Sequence, residues 1–235
     1  MIWVGGTPGT GKSTLARRLA HEHDLPLQAV DIVTAGTASS RERVRLSVDD
    51  LLSRQAGSVP AVVEGPQLDP LEAIHLPPGH VVFLVTTADR IARIRRERDA
   101  HGDREGLEDL VAHDEAADAR TRAAALDHGL PLVEVPGAPD WDLVHDAVVQ
   151  AVGAALARGP RLDPGPPLRA ARRWENAATG RRLLTRSPEH GLATTWRFPF
   201  ACECGRSRCT AVWLGRPEEY PTAAAAGRAV APEHR

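Results

Sequence analysis

The sequence predicts an α/β fold, a five-stranded parallel sheet with helices on both faces, followed by a small separate module. Three observations carry this. Apolar strand-like runs alternate with helical segments through residues 1–158. A glycine-rich loop joins the first apolar run to the first helical segment. After a break at 159–167 the alternation stops, and all three cysteines of the chain follow it.

The first strand is Ile2-Trp3-Val4, and from Ser13 a helical face of Leu15, Ala16, Leu19 and Ala20 begins. The run Leu25 to Asp31 reads as a second strand ending in a carboxylate, and Ser39 to Gln55 as a helix opened by Ser39, Ser40 and Glu42. Ala61 to Gly65, His80 to Val85 and Leu130 to Val135 are the third, fourth and fifth strands. Helices are expected over Asp89–Ala100, Leu107–His128 and Trp141–Leu156. Strands this continuously apolar are buried on both faces, as in a parallel sheet sandwiched by helices. Segment 159–167 holds four prolines and two glycines and cannot continue a helix, so it reads as a linker to a module at 168–235.

The 235 residues suit one α/β domain of about 150 residues and a small second unit. Hydrophobic residues make up 42% but aromatics only 4%, so the core must be built from Ala, Val and Leu. A net charge of −2 argues against a dedicated nucleic-acid binder, yet it hides a split. From Arg161 onward 13 Arg face 7 Asp or Glu, while the part before it carries 16 basic and 24 acidic residues. The two parts therefore attract each other or face different partners. No basic leader precedes the first strand, and no apolar run reaches the roughly 20 residues of a membrane span, so the expected location is the cytoplasm, with no membrane partner. Thiols stay reduced there, and clustered cysteines read as metal ligands. Lys12 is the only lysine in the chain, every other cation being arginine.

That lysine sits in Gly6-Thr7-Pro8-Gly9-Thr10-Gly11-Lys12-Ser13, a full Walker A pattern. Glycines let successive backbone N–H groups turn around an anionic oxygen, and the helix starting near Lys12 adds its positive end. Lys12 is placed for the β- and γ-phosphates and Ser13 for Mg²⁺. With Thr14 completing the loop, residues 1–158 resemble the small P-loop kinases, the group holding shikimate, gluconate and adenylate kinases. The resemblance is specific at the loop and rests on element order beyond it. It implies the sheet order 2-3-1-4-5, ATP and Mg²⁺ as cofactors, and a small-molecule acceptor.

The resemblance also gives roles to later residues. Asp31 lies where such kinases keep an acid near the acceptor, as a base for its hydroxyl or, more simply, as a cap of the next segment. Glu64 ends the third strand where relatives orient Mg²⁺ through water, most of them with Asp; it is a second candidate base. Arg90, Arg93, Arg95, Arg96 and Arg98, followed by the flexible 101–106 stretch, look like a lid that closes arginines over phosphates. Arg96 and Arg98 stand nearest the lid loop, and the others read as a solvated face beside Glu97 and Asp99. Arg120 or Arg122 on the following helix is a candidate for adenine or phosphate contact, and the Pro136–Pro139 loop takes the place where adenine packs on backbone.

Cys202-x-Cys204-x4-Cys209 gathers every cysteine within eight residues. A structural Zn²⁺ needs four S or N ligands. His234 is the preferred fourth and His190 the alternative. The spacing resembles the zinc tail that follows SET methyltransferase domains, a likeness limited to the metal knuckle. Trp196, Phe198, Phe200 and Trp213 are the expected small core that zinc supports. The arginines at 169, 172, 173, 181, 182 and 186, with Trp174, are read as docking on the acidic domain, in preference to binding nucleic acid. Two functions fit: an ATP-dependent kinase, or an ATP switch whose zinc module meets nucleic acid or protein.

Overall fold

Strand β1 (Ile2–Gly6) is central because both its faces are apolar: Ile2 and Val4 join the core on one side of the sheet and Trp3 the core on the other. The computed structural model describes residues 1–30, 42, 59–99, 106–190 and 197–234, with the side chains at 98–99 and 185–190 outside that description. β2 (Leu27–Ala29), β3 (Val62–Glu64), β4 (Val81–Thr86) and β5 (Leu132–Val135) complete a five-stranded sheet in the order β2-β3-β1-β4-β5. Every neighbouring pair is parallel. This is the expected architecture and order. β2, β3 and β5 are shorter than the apolar runs suggested, flanking residues such as Pro26 and Pro131 pairing through their carbonyls, whereas β1 extends to Gly6 and β4 keeps its expected length.

Helices α1 (Lys12–Glu22) and, further along, α5 (Trp141–Arg158) cover one face, packing Leu15, Leu19, Val144, Val148 and Val152 on Ile2, Val4, Val82 and Leu84. The short α2 (Pro70–Ala73) and the long α4 (Leu107–Asp127) lie on the other face with Trp3, Val63, Phe83 and Ala125, and α3 (Ala88–Asp99) packs on α4. The helix expected at 39–55 and Asp31 fall outside the described residues.

α5 stops at Arg158, where Gly159 turns extended, and the linker is shorter than the sequence suggested. Pro166 and Pro167 already belong to α6 (Pro166–His190), since proline lacks only the N–H that a first turn cannot use. An antiparallel pair follows, β6 (Phe198–Ala201) with β7 (Val212–Gly215), then α7 (Tyr220–Ala225) and a 3₁₀ turn at Pro232–His234. Phe200 is the fully buried centre of this unit, stacked on Tyr220 at 5.0 Å and within 5.6 Å of Phe198 and Trp213. Tyr220 joins the expected Phe198, Phe200 and Trp213 in this core; Trp196 lies outside the described residues.

The two units share a buried polar seam. Glu175 of α6 accepts from Arg17 Nε and His21 Nε2 of α1, each at 2.9 Å. Arg172, one turn earlier, donates to the carbonyls of Leu25 and Ala20 at 2.9 and 3.2 Å, closing the C-terminal end of α1. Burial pushes the His21 imidazole below its usual range, so at neutral pH it donates from a neutral ring. Burial by itself would raise Glu175, but His21, Arg17 and Arg172 outweigh it and hold the carboxyl at about 2.

A carboxylate depressed in this way contributes stability that is complete above its ordinary value of 4.5 and is lost as the pH falls toward 2. The urea midpoint of the intact protein is expected to drop across that window. Glu175→Gln, which strands Arg172 in the seam, is expected to lose about 3–5 kcal/mol at pH 7 and to show a flatter acid limb. Parallel pH–urea series on the two proteins check both points.

Candidate functional site

The site is built where β1 turns into α1. Gly6, Gly9 and Gly11 have φ of 134°, 92° and 80°, conformations that L side chains rarely adopt. A Cβ on Gly6 would lie 2.3 Å from the Leu84 carbonyl oxygen, and one on Gly11 would lie 2.4 Å from the Trp141 ring. The glycines therefore let the loop coil tightly against β4 and α5. Within it Thr10 Oγ1 donates to the Thr7 carbonyl at 2.8 Å, and Lys12 Nζ to the same oxygen at 3.3 Å. Pro8 stiffens the turn between them. A helix's own carbonyls cannot reach its first-turn N–H groups, and Gly11 at the cap has no side chain to take them. The result is a backbone cradle with a helix dipole and a buried ammonium behind it, the chemistry of a phosphate site.

Ser13 and Glu64 meet across the strands. Ser13 Oγ donates to Glu64 Oε2 at 3.1 Å, and Glu64 is 2% exposed at the end of β3. A hydroxyl and a carboxylate side by side at the foot of a phosphate cradle are the oxygen donors that Mg²⁺ selects. Thr14 is exposed.

No protein-family model matches the chain, and no curated protein matches it. Solved structures similar to it include a gluconokinase from Sinorhizobium meliloti 1021, 18% identical, covering 66% of this chain and 93% of its own, at a TM-score of 0.45. A sugar kinase from Janibacter sp. is 16% identical over 68% of this chain and 98% of its own, at a TM-score of 0.45. A putative kinase from Chloroflexus aurantiacus is 20% identical over 64% and 97%, at 0.35.

Three residues not singled out as site residues in the sequence border the loop. Asp118 of α4 accepts from Thr7 Oγ1 at 2.7 Å and from the Thr86 N–H at 3.1 Å, tying loop, β4 and α4 together. Burial pushes its carboxyl above the ordinary range, against the hydrogen bonds from Thr7 and Thr86. Trp141 opens α5, whose first turn is capped by Asp140 accepting from the Asp142 and Leu143 N–H groups. Arg90 is 5% exposed, lies 5.4 Å over the Trp141 ring and donates to the Gly137 carbonyl at 3.1 Å. Its Nε has no hydrogen-bond partner among the described residues.

The other arginines of α3 divide as a helix dictates. Arg93 also reaches the Gly137 carbonyl, at 2.6 Å, so this part of the 136–139 loop is held from α3. Arg95 is paired with buried Asp114 at 2.6 Å. Arg96 is exposed and pairs with Glu108 at 3.3 Å. The Arg98 side chain lies outside the described residues. Arg120 is exposed, two residues from Asp118 and so on the opposite side of α4. Arg122 instead shares the Asp118 side, bonding Glu134 at 3.3 Å. A cavity of about 370 Å³ opens there between Thr86, Ile91, Ala119, Asp118, Arg122 and Leu126. Its walls are mainly apolar, and it touches the loop only through Asp118.

The second site is the cysteine knuckle. Ligand atoms of Cys202, Cys204, Cys209 and His234 all lie within 4.8 Å of one another. His234 Nδ1 is 3.5 Å from Cys202 Sγ and 3.4 Å from Cys209 Sγ. Sulfur and nitrogen bound to one tetrahedral zinc sit about 3.6 Å apart, so these residues fit that ion. The N–H groups of Ala231 and Arg206 donate to the sulfurs of Cys202 and Cys204 at 3.3 and 3.4 Å. Gly205 makes the turn at φ 74°, where a Cβ would meet the Gly165 carbonyl at 2.6 Å. Burial pushes the Cys202 thiol up, and the Cys209 thiol up to about 12. The His190 side chain lies outside the described residues. No helix among those described is long and apolar enough to cross a membrane.

Gly11→Ala forces its methyl into the Trp141 ring at a backbone angle alanine resists. On the ATP-binding reading proposed below, the ATP·Mg²⁺ affinity of this variant, followed by tryptophan emission, is expected to be at least about tenfold weaker, roughly 1.4 kcal/mol, with the urea midpoint changed far less.

Proposed function

We propose that this chain is an ATP-dependent phosphotransferase that moves the γ-phosphoryl group to a hydroxyl of a small molecule. The observation that carries the reading is the geometry at Gly6–Ser13: glycines at positive φ, an uncapped helix start, buried Lys12, and Ser13 bonded to the Glu64 carboxylate. In this reading residues 1–158 bind ATP, 159–167, whose last two residues open α6, connect, and 168–235 form a zinc-supported module. Backbone N–H groups of the loop orient the phosphates, and Lys12 offsets the charge gathered on the transferred group. Ser13, with Glu64 beside it, would hold Mg²⁺, which would supply charge neutralisation for the phosphates. Glu64 is engaged with Ser13, which favours the metal-water role for it and leaves the acceptor proton to Asp31. Arg96 and Arg98, flanking the lid segment, are the arginines proposed to close over phosphate, and Arg122, on the Asp118 side of α4, is favoured over Arg120. Arg90 and Trp141 border the place proposed for the base.

A kinase is favoured over a switch whose acceptor cleft is filled by its own module. Among the described residues, hydrogen bonds from the C-terminal module to the sheet unit include those on Arg17, His21, Asp24 and the carbonyls of Ala20 and Leu25, along α1 and past its end, and these support that preference.

The test is ATP consumption with Mg²⁺, alone and against pooled sugars, sugar acids, nucleosides and antibiotics. One pool is expected to raise turnover far above the basal rate. Lys12→Ala is expected to abolish binding or turnover, and retained activity in that variant sinks the assignment. Asp31→Asn is expected to lower kcat about 10²–10⁴-fold at nearly unchanged ATP affinity, whereas Glu64→Gln is expected to raise the Mg²⁺ concentration needed for half-maximal rate.

A further inference from the structure

The cysteine knuckle and the phosphate loop are joined by two separate routes, and both end on α1. The first is direct. The chelate loop between Cys204 and Cys209 presents Ser207 Oγ and the Arg208 N–H to the two carboxylate oxygens of Asp24, the Arg208 bond being 2.6 Å. Asp24 sits just past the end of α1 at φ 53°, the left-handed cap position that favours glycine. Its neighbours close the cap in the usual way, the Leu25 N–H donating to the Ala20 carbonyl at 2.8 Å. A costly backbone angle is thus kept at the one residue whose carboxylate grips the knuckle.

The second route runs through α6. Glu203, between two of the cysteines, is 2% exposed and accepts from Asn176 Nδ2 at 3.0 Å, Tyr220 Oη at 2.8 Å and Arg173 Nε at 3.1 Å. Asn176 also exchanges both amide bonds with the Ala201 backbone, each at 2.8 Å. Residues 173 and 176 therefore hold the knuckle, while 172 and 175, one position back, hold α1. The same helix turn grips both.

We infer that zinc bound by Cys202, Cys204, Cys209 and His234 is the clamp that fixes the C-terminal module onto α1, and that metal occupancy thereby sets how rigidly the phosphate loop is held. Without the ion the sulfurs of Cys204 and Cys209 are no longer tied to one another and His234 is no longer tied to the cysteines, so the 204–209 loop keeps the shape in which it meets Asp24 less firmly, although the backbone bonds at Gly205 and Ala229 remain. The inference concerns α1 first; its effect on ATP rests on the proposed nucleotide site.

The experiment measures three things on the full-length protein, on the same protein after zinc removal by a chelator, and on Cys204→Ser and Asp24→Gly. They are zinc content, hydrogen exchange of the α1 amides, and calorimetric affinity for a non-hydrolysable ATP analogue with Mg²⁺. The intact protein is expected to hold one zinc per chain. Chelation and Cys204→Ser are expected to remove it, to speed exchange over Leu15–Leu25 at least tenfold, and to weaken analogue binding about tenfold. Asp24→Gly places the preferred residue at the cap, so α1 itself is not harmed. It is expected to keep the zinc and still show faster α1 exchange. An intact protein without zinc overturns the metal assignment. Zinc-free protein with unchanged α1 exchange overturns the clamp. If the intact protein fails to bind the analogue, the nucleotide reading falls, and the exchange data decide the clamp without it.

Discussion

Helix α1 must meet opposing demands at its two ends. Its first turn has to stay uncapped, because a phosphate cradle works only if the protein has not already spent those N–H groups. An uncapped end frays unless the rest of the helix is immobile. The sheet side of α1 is held by Leu15, Leu19 and Ala20 in the main core. Its other side is held by Glu175 through Arg17 and His21, and its far end by Arg172 and by Asp24 bonded to the knuckle. The openness of the loop and the density of polar contacts at the opposite end are two parts of one solution.

What could be read from the chain follows the range of the interactions. The sheet was legible because two covered faces leave continuous apolar strands, as in Val81 to Val85, and because the loop's glycines sit in consecutive sequence. The Cys/His cluster was legible for the same reason: three of its members fall within eight residues, and only the fourth had to be chosen between histidines. Contacts made by single residues over long separations gave no such signal. Asp118 meets Thr7 across 111 positions, and Trp141 meets Gly11 only after α5 has folded back onto the sheet. A faint clue did exist for Asp118. It shares with Val111, Asp114 and Ala125 the buried stripe of α4, where an acid is unusual unless something receives it. The α6 seam gave less warning still, since 172, 173, 175 and 176 look like an ordinary charged helix face until its partners are known.

The buried seam does not follow the charge split between the two parts of the chain, since its ion pair sets Glu175 of the basic part against Arg17 of the acidic part. Arg172 and Glu175 of the basic part are both buried, and their partners are carbonyls, a neutral imidazole and one arginine. Buried ions of this kind add little net stability compared with apolar contacts, but breaking one partner leaves a stranded charge. The seam therefore specifies one docking arrangement and penalises others, which is what a helix with an open N-terminus requires of its neighbour.

The distribution of lysine and arginine follows from the same geometry. Arg172 uses the fork of its guanidinium to reach two carbonyls at once, Leu25 with Nη1 and Ala20 with Nη2, at the end of a single helix. A lone ammonium on a flexible stem cannot fix two acceptors in a set plane. Arg90 sets its guanidinium carbon 5.4 Å over the Trp141 ring while one nitrogen reaches Gly137, again a task for a forked cation. Inside the loop the requirement is reversed. Lys12 lies within a coil of backbone, its Nζ 3.3 Å from the Thr7 carbonyl, where a compact ammonium serves better than a broad planar fork. In a chain that uses arginine for every other cation, a compact charge inside the cradle is the physical reason one lysine remains.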